Sequence, residues 1–187
     1  MTSTHFWNET AIEPKRTFRW LLYISGVPQF IAKSLKKPSF QVSETPHEFL
    51  NYKFYYRGRV EWQTVDVTIV DPVQPDSTKS LMNILEASGY VPPSEFNAQD
   101  GKPKTISKES AITSLGGDIS FVQLGANTGA NTQNEIEKWT LHNPFITNVD
   151  FGQLDYSSDE LLNITITIRY DWATMTSPNQ TWTIEGT

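Results

Sequence analysis

The chain has 187 residues, a formal net charge of −6 and no cysteine, and aromatic residues make up 12% of it. A chain of this length can bury a core of its own, so we expect a single domain over residues 1–187. The lack of cysteine excludes disulfides, thiol nucleophiles and thiolate metal sites, and the negative charge argues against a sequence-independent nucleic-acid clamp.

The N-terminal region is polar. Residues 1–19 contain no apolar segment of the kind that secretory signals carry, and no later run approaches the ~20 apolar residues of a membrane span. We therefore expect no membrane anchor. The protein is expected to act where it is made, or inside something assembled there.

Strand periodicity dominates the first 70 residues. The segment from Phe18 to Ile24 has apolar side chains at both odd and even positions, which predicts a first strand covered on two sides. Residues 29–35 form a second apolar segment, and a short one containing Phe40 and Val42 follows it.

A long hairpin is predicted next. Residues 49–56 and 60–70 are both rich in aromatic and β-branched side chains, and Arg57-Gly58-Arg59 separates them as a short turn would. In the second arm the apolar positions change from even to odd near Gln63 and Thr64. That change predicts a bulge or bend at this point.

One short amphipathic helix is predicted after Pro75. Asp76, Ser77 or Thr78 can cap its start, and Gly89 stands where a left-handed residue ends a helix. Its apolar stripe has helical spacing and consists of Leu81, Ile84 and Leu85. Residues 89–105 and 125–134 are rich in Gly, Pro and polar residues, which predicts two exposed loops.

The last third of the sequence again has strand character. Strands are predicted over residues 135–141, 145–151 and 161–172. In the last of them apolar residues alternate with Asn163, Thr165, Thr167, Arg169 and Asp171, which form a polar face for solvent or a channel. The predicted fold is therefore mainly β, an antiparallel barrel or sandwich with one short α-helix and a long hairpin.

Catalytic chemistry finds no support in the sequence. His5, His47 and His142 lack metal-ligand spacing, and no nucleophile, phosphate-loop or zinc-protease motif occurs. Glu135 and Glu137 have strand spacing, which usually indicates a hydrated face rather than an acid–base pair. We predict neither catalytic nor metal residues, no cofactor and no enzymatic activity.

The six tryptophans point to a core and to contacts with other chains. Trp20, Trp62, Trp139 and Trp172 lie in predicted strands and are expected in the core. Trp7 and Trp182 lie in polar termini that cannot form a core of their own. These two are candidate docking residues for another chain.

The order of these elements resembles that of the tail tube proteins of contractile-tailed bacteriophages, relatives of the tube proteins of type VI secretion systems and contractile bacteriocins. The resemblance covers roughly residues 18–173. It rests on the hairpin arm Glu61-Trp62-Gln63-Thr64-Val65-Asp66-Val67-Thr68-Ile69, the capped helix after it, and Asn143-Pro144-Phe145-Ile146-Thr147-Asn148-Val149 followed by the strand that ends at Tyr170-Asp171-Trp172. Residues 1–17 and 174–187 are extensions beyond it.

This resemblance implies a structural virion protein without enzymatic activity. Such proteins form hexameric rings that stack into a tube, a conduit for the tape measure protein and for genomic DNA, with a tail sheath protein outside and baseplate proteins at the end. The strand over 161–172 is then the candidate lumen-facing strand. The hairpin would reach the neighbouring ring through Tyr52, Tyr55, Tyr56, Arg57 and Arg59, since Tyr and Arg are common in interfaces. The expected location is the virion tail, assembled in the host cytoplasm.

Two alternatives stay open. Abundant aromatic residues in an all-β chain also fit a small-molecule or glycan-binding β-barrel module. Within the structural class, a tube-like protein of a baseplate, a secretion system or a bacteriocin is the nearest rival.

Overall fold

The computed structural model describes residues 15–25, 27–92, 106–125, 135–177 and 180–181. Its strands are β1 (Trp20–Tyr23), β2 (Ala32–Leu35), β3 (Phe40–Phe49), β4 (Tyr52–Trp62), β5 (Val65–Val70), β6 (Ile119–Leu124), β7 (Glu135–His142), β8 (Phe145–Asp150), β9 (Asn163–Arg169), β10 (Trp172–Ser177) and β11 (Gln180–Thr181). Its α-helices are α1 (Ser77–Ala87) and α2 (Lys108–Ser114), and a short 3-10 helix spans Gln29–Ile31.

The strands form two sheets and a separate two-stranded ribbon. One sheet has the order β1-β6-β7-β10-β11, the other has the order β2-β5-β9-β8, and β3 pairs with β4 alone. The pairings are antiparallel. Within the described residues neither sheet closes into a barrel. The mainly β prediction is confirmed, in its sandwich form.

The core lies between the two sheets. From the four-stranded sheet it takes alternate residues of β5 and β9, such as Val67 and Ile166, and from the other sheet residues such as Phe121 and Leu141. Each large apolar side chain buried in this way contributes roughly 1.5–3 kcal/mol. The opposite face of β5 and β9 consists largely of Thr, Asp and Asn, as the alternation predicts.

The predicted helix is confirmed as α1. The Asp76 side chain accepts a hydrogen bond of 2.9 Å from the backbone N–H of Lys79, and Gly89 has a φ of 109° beyond the C-terminus. The expectation of a single helix was wrong, because α2 follows. Ser107 caps α2 by accepting a hydrogen bond of 3.1 Å from the N–H of Ser110.

The position predicted for the hairpin was also wrong. Its turn is at Leu50 and Asn51, between β3 and β4, and Gly58 lies inside β4. Leu50 has a φ of 55°, a left-handed conformation that sequence rules assign to Gly or Asn. The bend expected near Gln63 and Thr64 is confirmed, since β4 ends before these residues and β5 enters the four-stranded sheet after them.

The first strand differs from its prediction. β1 is short and lies at the edge of its sheet, where it pairs only with β6. Leu22 is buried, but Phe18 precedes the strand and is 73% exposed, and Tyr23 is also exposed. Within the described chain this strand is not covered on two sides.

The last predicted strand is divided in two. β9 ends at Arg169, the chain bends at Asp171, and β10 joins the other sheet beside β7. Trp172 therefore leaves the apolar face of β9 and is 42% exposed, so its assignment to the core was wrong. Trp20, Trp62 and Trp139 pack against the core as predicted.

Several predictions fall outside the described residues. These are the docking tryptophans Trp7 and Trp182, most of the loop at 89–105 and most of the loop at 125–134. Residues 174–177, at the start of the predicted C-terminal extension, belong to β10.

Candidate assembly surfaces

The β3–β4 ribbon has two chemically different faces beyond its root. One carries the cross-strand pairs Thr45–Tyr56, His47–Phe54 and Phe49–Tyr52, and we call it the aromatic face. The other carries the pairs Glu44–Arg57, Pro46–Tyr55 and Glu48–Lys53, and we call it the charged face. The division follows from the alternation of side chains along each strand.

The aromatic face has no cover within the described chain. Phe49, Tyr52, Phe54 and Tyr56 are each more than half exposed, and the rings of His47 and Tyr56 meet edge-on with centroids 6.3 Å apart. A two-stranded ribbon is at best marginally stable alone in water, and contiguous exposed apolar surface marks contact sites. This face is therefore a candidate interface.

The predicted hairpin residues do not form one patch. Tyr52 and Tyr56 lie on the aromatic face, whereas Tyr55 and Arg57 lie on the charged face. On the charged face Lys53 Nζ lies 3.3 Å from Glu48 Oε1, an exposed pair of the kind worth at most ~1 kcal/mol.

Phe49 and Phe54 were missed by sequence reasoning. Their alternation with charged residues was visible in the sequence. The turn placed at Gly58 put their strand in the wrong pairing.

A bulge at Gly58 and Arg59 divides the ribbon into a root and an outer part. Opposite the single residue Ser43, β4 carries both Gly58 and Arg59, and Ser43 Oγ accepts a hydrogen bond of 2.9 Å from the Arg59 N–H. The extra residue reverses the alternation along β4. Val60 and Trp62 consequently lie on the same side as Arg57, and the root of the charged face is apolar.

Aromatic contacts attach the root of the ribbon to the body. Phe40 meets Trp62 edge-on with ring centroids 5.4 Å apart, and Trp62 lies 6.0 Å from Tyr170 of the core. Aromatic pairs at these separations are favourable beyond the area that they bury. Among the described residues, the ring contacts that join the ribbon to the body thus lie at its base.

A cleft of about 530 Å³ lies beside this root. It runs between the end of β4, α2, and the ends of β8 and β9, and its aromatic lining consists of Trp62, Phe145 and Tyr170. At its rim Lys108 Nζ lies 2.6 Å from Asp171 Oδ2, and Arg169 lies 3.3 Å from Glu61. We call it the Tyr170 cleft.

Tyr170 carries a polar group without a partner. Its hydroxyl is buried and makes no hydrogen bond in the described part of the chain. Burial raises its pKa to about 12, against a smaller opposing effect of the Arg169 charge, so the hydroxyl stays protonated and can donate.

The candidate lumen strand has the polar face that its sequence predicts. Asn163, Thr165, Thr167 and Arg169 share one face of β9, and each is partly exposed. Thr167 Oγ1 donates to Asp66 Oδ1 of β5 at 2.9 Å. Asp171 does not belong to this face, because it lies in the bend after β9 and pairs with Lys108.

Glu137 lies at the centre of a charged cluster. The sequence pattern predicts a hydrated strand face for this residue. It is 6% exposed, and Lys37 Nζ lies 2.7 Å from its Oε1, while Lys15 and Trp139 Nε1 also donate to it. Burial alone would raise its pKa. The donors from Lys15, Lys37 and Trp139 outweigh that effect and lower the pKa to about 2.

A second exposed segment, residues 151–162, connects β8 to β9. Tyr156 at its apex is 111% exposed, and Leu154 and Leu161 are also exposed. The Asp155 carboxylate accepts hydrogen bonds from the N–H and the hydroxyl of Ser157, at 2.9 and 2.8 Å, which holds the turn and lowers the pKa of Asp155.

Within residues 15–25, 27–92, 106–125, 135–177 and 180–181, no helix is both long and apolar enough to cross a membrane. Nor do the described ranges hold a group of three or more His, Asp or Glu side chains placed to bind a metal.

Solved structures share this fold. A chain of the anti-feeding prophage cap, the AFP tube-terminating cap, aligns over 95% of this chain and 99% of its own length, with a TM-score of 0.62 and 14% identity. A chain of the sheath–tube complex of PVC, an extracellular contractile injection system, in its extended state aligns over 94% of this chain and 99% of its own, with a TM-score of 0.59 and 14% identity.

A chain of the anti-feeding prophage baseplate aligns over 89% of this chain and 97% of its own length, with a TM-score of 0.58 and 13% identity. No protein-family model matches the sequence, and no curated protein does. The fold is therefore one found in contractile injection systems, in agreement with the resemblance to tail tube proteins.

Proposed function

We propose that this chain is a non-enzymatic structural subunit that assembles with further copies into the tube of a contractile tail-like particle. The observation that carries the proposal is the aromatic face of the β3–β4 ribbon, which is exposed on a ribbon that pairs with no other strand in the described part of the chain. The fold shared with chains of tube, cap and baseplate assemblies supports it.

The finer form of the proposal is a bacteriophage tail tube of stacked hexameric rings. The ribbon, including Tyr52, Tyr55, Tyr56, Arg57 and Arg59, would contact the neighbouring ring. Partners would be the tail sheath protein outside, baseplate proteins at the end, and the tape measure protein and DNA in passage. The location would be the virion tail, assembled in the host cytoplasm.

The polar face of β9 suits the lumen of such a conduit. β9 presents hydroxyl and amide groups there, and its own cation, Arg169, pairs with Glu61, while Lys33 of β2 reaches this face and donates to Asn163 Oδ1 at 3.2 Å. Because phosphates bind mainly through Lys and Arg, a lumen poor in free cations would let DNA pass without holding it.

Electron microscopy of the purified protein tests the proposal. We expect six-fold rings at micromolar concentration and tubes as the concentration rises. A protein that stays monomeric and is missing from the particle would contradict it. Copy number per particle distinguishes a tube, with many rings, from a tube-like baseplate position.

The Tyr170 cleft favours a second candidate function, a small-molecule or glycan-binding module. Its volume of about 530 Å³ lies within the range of roughly 300–1,000 Å³ found for ligand sites, and its lining includes the aromatic residues Trp62, Phe145 and Tyr170. That function requires a monomer that binds a ligand, so a stable hexamer in solution would argue against it.

A further inference from the structure

Two arginines of the β3–β4 ribbon have no partner in the described part of the chain. The register sets Arg57 opposite Glu44, and Arg59 belongs to the bulge, but neither side chain forms an ion pair there. The aromatic face ends beside them, at the cross-strand pair Thr45–Tyr56. An occupant of this face that also carries free carboxylates would therefore pair with both arginines.

The segment that connects β8 to β9, residues 151–162, has the complementary surface, and we call it the β8–β9 segment. Its apolar side chains are each more than two-thirds exposed at three positions, Leu154, Tyr156 and Leu161. It contains three acidic residues and no lysine, arginine or histidine. The carboxylates of Asp159 and Glu160 form no ion pair in the described part of the chain.

Local hydrogen bonds hold the β8–β9 segment in shape. Gly152 has a φ of 82°, and its N–H donates to Asp150 Oδ1 at 3.0 Å. The Ser158 N–H donates to the backbone carbonyl of Asp155 at 3.4 Å, and Ser158 Oγ accepts from the Glu160 N–H at 3.3 Å. A partner that binds this segment therefore loses little affinity to ordering it.

The ribbon and the β8–β9 segment are attached to opposite ends of the four-stranded sheet. The ribbon enters this sheet at Val65, which is paired with Ile168, and the segment enters it at Asn163, which is paired with Val70. β5 has 6 residues, so these two ends are about 17 Å apart. Surfaces at opposite ends meet when copies associate head-to-tail along the strand direction.

The other loop at the same end of the sheet lacks this combination. It joins β5 to α1 and exposes Val73, which is 93% accessible. Its acidic residues are already engaged, because Asp71 Oδ2 accepts a hydrogen bond of 2.8 Å from Thr78 Oγ1 and Asp76 caps α1. Of the two loops, the β8–β9 segment is thus the one that offers both apolar side chains and free carboxylates.

We propose that the β8–β9 segment of one copy receives the ribbon of a second copy. The inference rests on the proposed function and names the surface that contacts the ribbon. The exposed apolar side chains of the segment pack against the aromatic face, and the carboxylates of Asp159 and Glu160 pair with the two arginines. The two surfaces differ, so the contact is heterologous and continues from copy to copy.

Charge reversal on each side, and then on both sides, tests this pairing. One variant carries Asp159→Lys and Glu160→Lys, a second carries Arg57→Glu and Arg59→Glu, and a third carries all four substitutions. Sedimentation at low salt, where charges are weakly screened, measures the concentration needed for assembly. Each reversal alone should raise that concentration by at least ~10-fold, because like charges then face each other. The chain with all four substitutions should assemble within about threefold of the unmodified protein, since contacting charges couple.

A control pair separates this contact from a general effect of net charge. Glu86→Lys with Glu135→Lys makes the same change in net charge at two exposed positions outside the β8–β9 segment. Added to the two arginine reversals, the control pair should not restore assembly. Restoration by the control pair as well would overturn the inference.

The remaining outcomes distinguish this contact from the proposed function. Normal assembly of the Asp159→Lys, Glu160→Lys variant would overturn the inference and leave the proposed function intact. The same result is expected if the segment binds a different protein, so that outcome also counts against the inference. A lack of rings and tubes in the unmodified protein would overturn both.

Disulfide cross-linking locates the contact without removing a charge, and the chain has no cysteine of its own. Protein carrying Ser157→Cys is mixed with protein carrying Thr45→Cys, on the aromatic face, and oxidised after assembly. The control mixture combines Val73→Cys, in the other loop at the same end, with Thr45→Cys. Because disulfides form only between close residues, Ser157→Cys should give at least ~10-fold more mixed disulfide. Equal yields from samples that contain rings or tubes would overturn the inference.

Discussion

Gly58 lies directly against the backbone of Ser43 on the opposite strand of the ribbon. A Cβ atom at Gly58 would stand 2.8 Å from the carbonyl oxygen of Ser43, closer than real side chains approach. The bulge that reverses the alternation along β4 therefore requires glycine at this position. Because of this reversal, one side of the ribbon is apolar at its root and charged along its outer part.

Gly58→Ala is expected to distort the ribbon and leave the core folded. The added methyl group must displace the Ser43 backbone, while the buried residues of β5 and β9 lie elsewhere. Hydrogen exchange should speed up across residues 40–62 and stay unchanged in β9, and assembly should weaken. Arg59→Ala, one position along the bulge, is the control and should leave exchange in the ribbon as it is.

The aromatic face can be tested with neighbouring residues of similar exposure. Phe54→Ser removes a ring from the aromatic face, and Tyr55→Ser removes one from the charged face. Buried aromatic anchors often contribute 2 kcal/mol or more to an interface. Phe54→Ser should therefore raise the concentration needed for assembly by about 30-fold, as measured by sedimentation.

Tyr55→Ser should change that concentration by less than about threefold, because a contact made from the charged face would lie at the rim of an interface centred on the aromatic face, where each residue contributes little. Equal losses from the two variants would show that both faces are buried. A larger loss from Tyr55→Ser would assign the interface to the charged face.

Arg57→Glu combined with Arg59→Glu tests the contribution of charge. Both positions lie in β4 rather than in the turn predicted for them, and Arg57 pairs across the ribbon with Glu44. Exposed charges contribute at most ~1 kcal/mol to stability, so the melting temperature should change little, while assembly should weaken most at low salt. Normal tubes at physiological salt would exclude these arginines from the contact.

The lowered pKa of Glu137 predicts that the free energy of unfolding declines at acid pH. Its folded pKa is about 2, below the ordinary value of 4.5, so its stabilisation is complete above about pH 4.5 and is lost as the pH falls towards 2. Glu137→Gln should lower stability at pH 7 by about 2 kcal/mol, because two lysines lose their charged acceptor. Urea unfolding at several pH values measures both effects.

In the variant, the part of the acid dependence that Glu137 causes should disappear. Glu135→Gln is the matched control, since Glu135 is an exposed residue on the same strand. A variant with the same acid profile as the unmodified protein would show that other carboxylates cause the decline.

Local signals in the sequence were sufficient for α1 and for the alternation of β9. Asp76 and Gly89 mark the two ends of α1 through contacts and conformations that are local in sequence. The buried residues of β9 follow from the alternation of apolar and polar residues along the strand. The hairpin turn could not be found in this way. Leu50 adopts a conformation that its residue type disfavours, whereas Gly58 looks like a turn residue and serves a bulge.

The remaining predictions failed because they depend on tertiary contacts between residues that are distant in sequence. In the sequence, the alternation of apolar and polar residues continues through Tyr170 to Trp172. In the structure, the chain passes from one sheet to the other at Asp171, which forms an ion pair with Lys108 of α2. The burial of Glu137 depends on Lys15 and Lys37, 122 and 100 residues away in sequence. The residue pattern within one strand carries no information about partners that are so distant in sequence.

The direct passage from β4 into β5 has a mechanical consequence. Only Gln63 and Thr64 separate the two strands, so tension applied to the ribbon reaches β5 without a slack linker. β5 is held between β2 and β9, antiparallel to both, and a pull along its axis loads these hydrogen bonds in shear, so that many must break together. The ribbon would thus be anchored as a stiff tether once another subunit pulls on it.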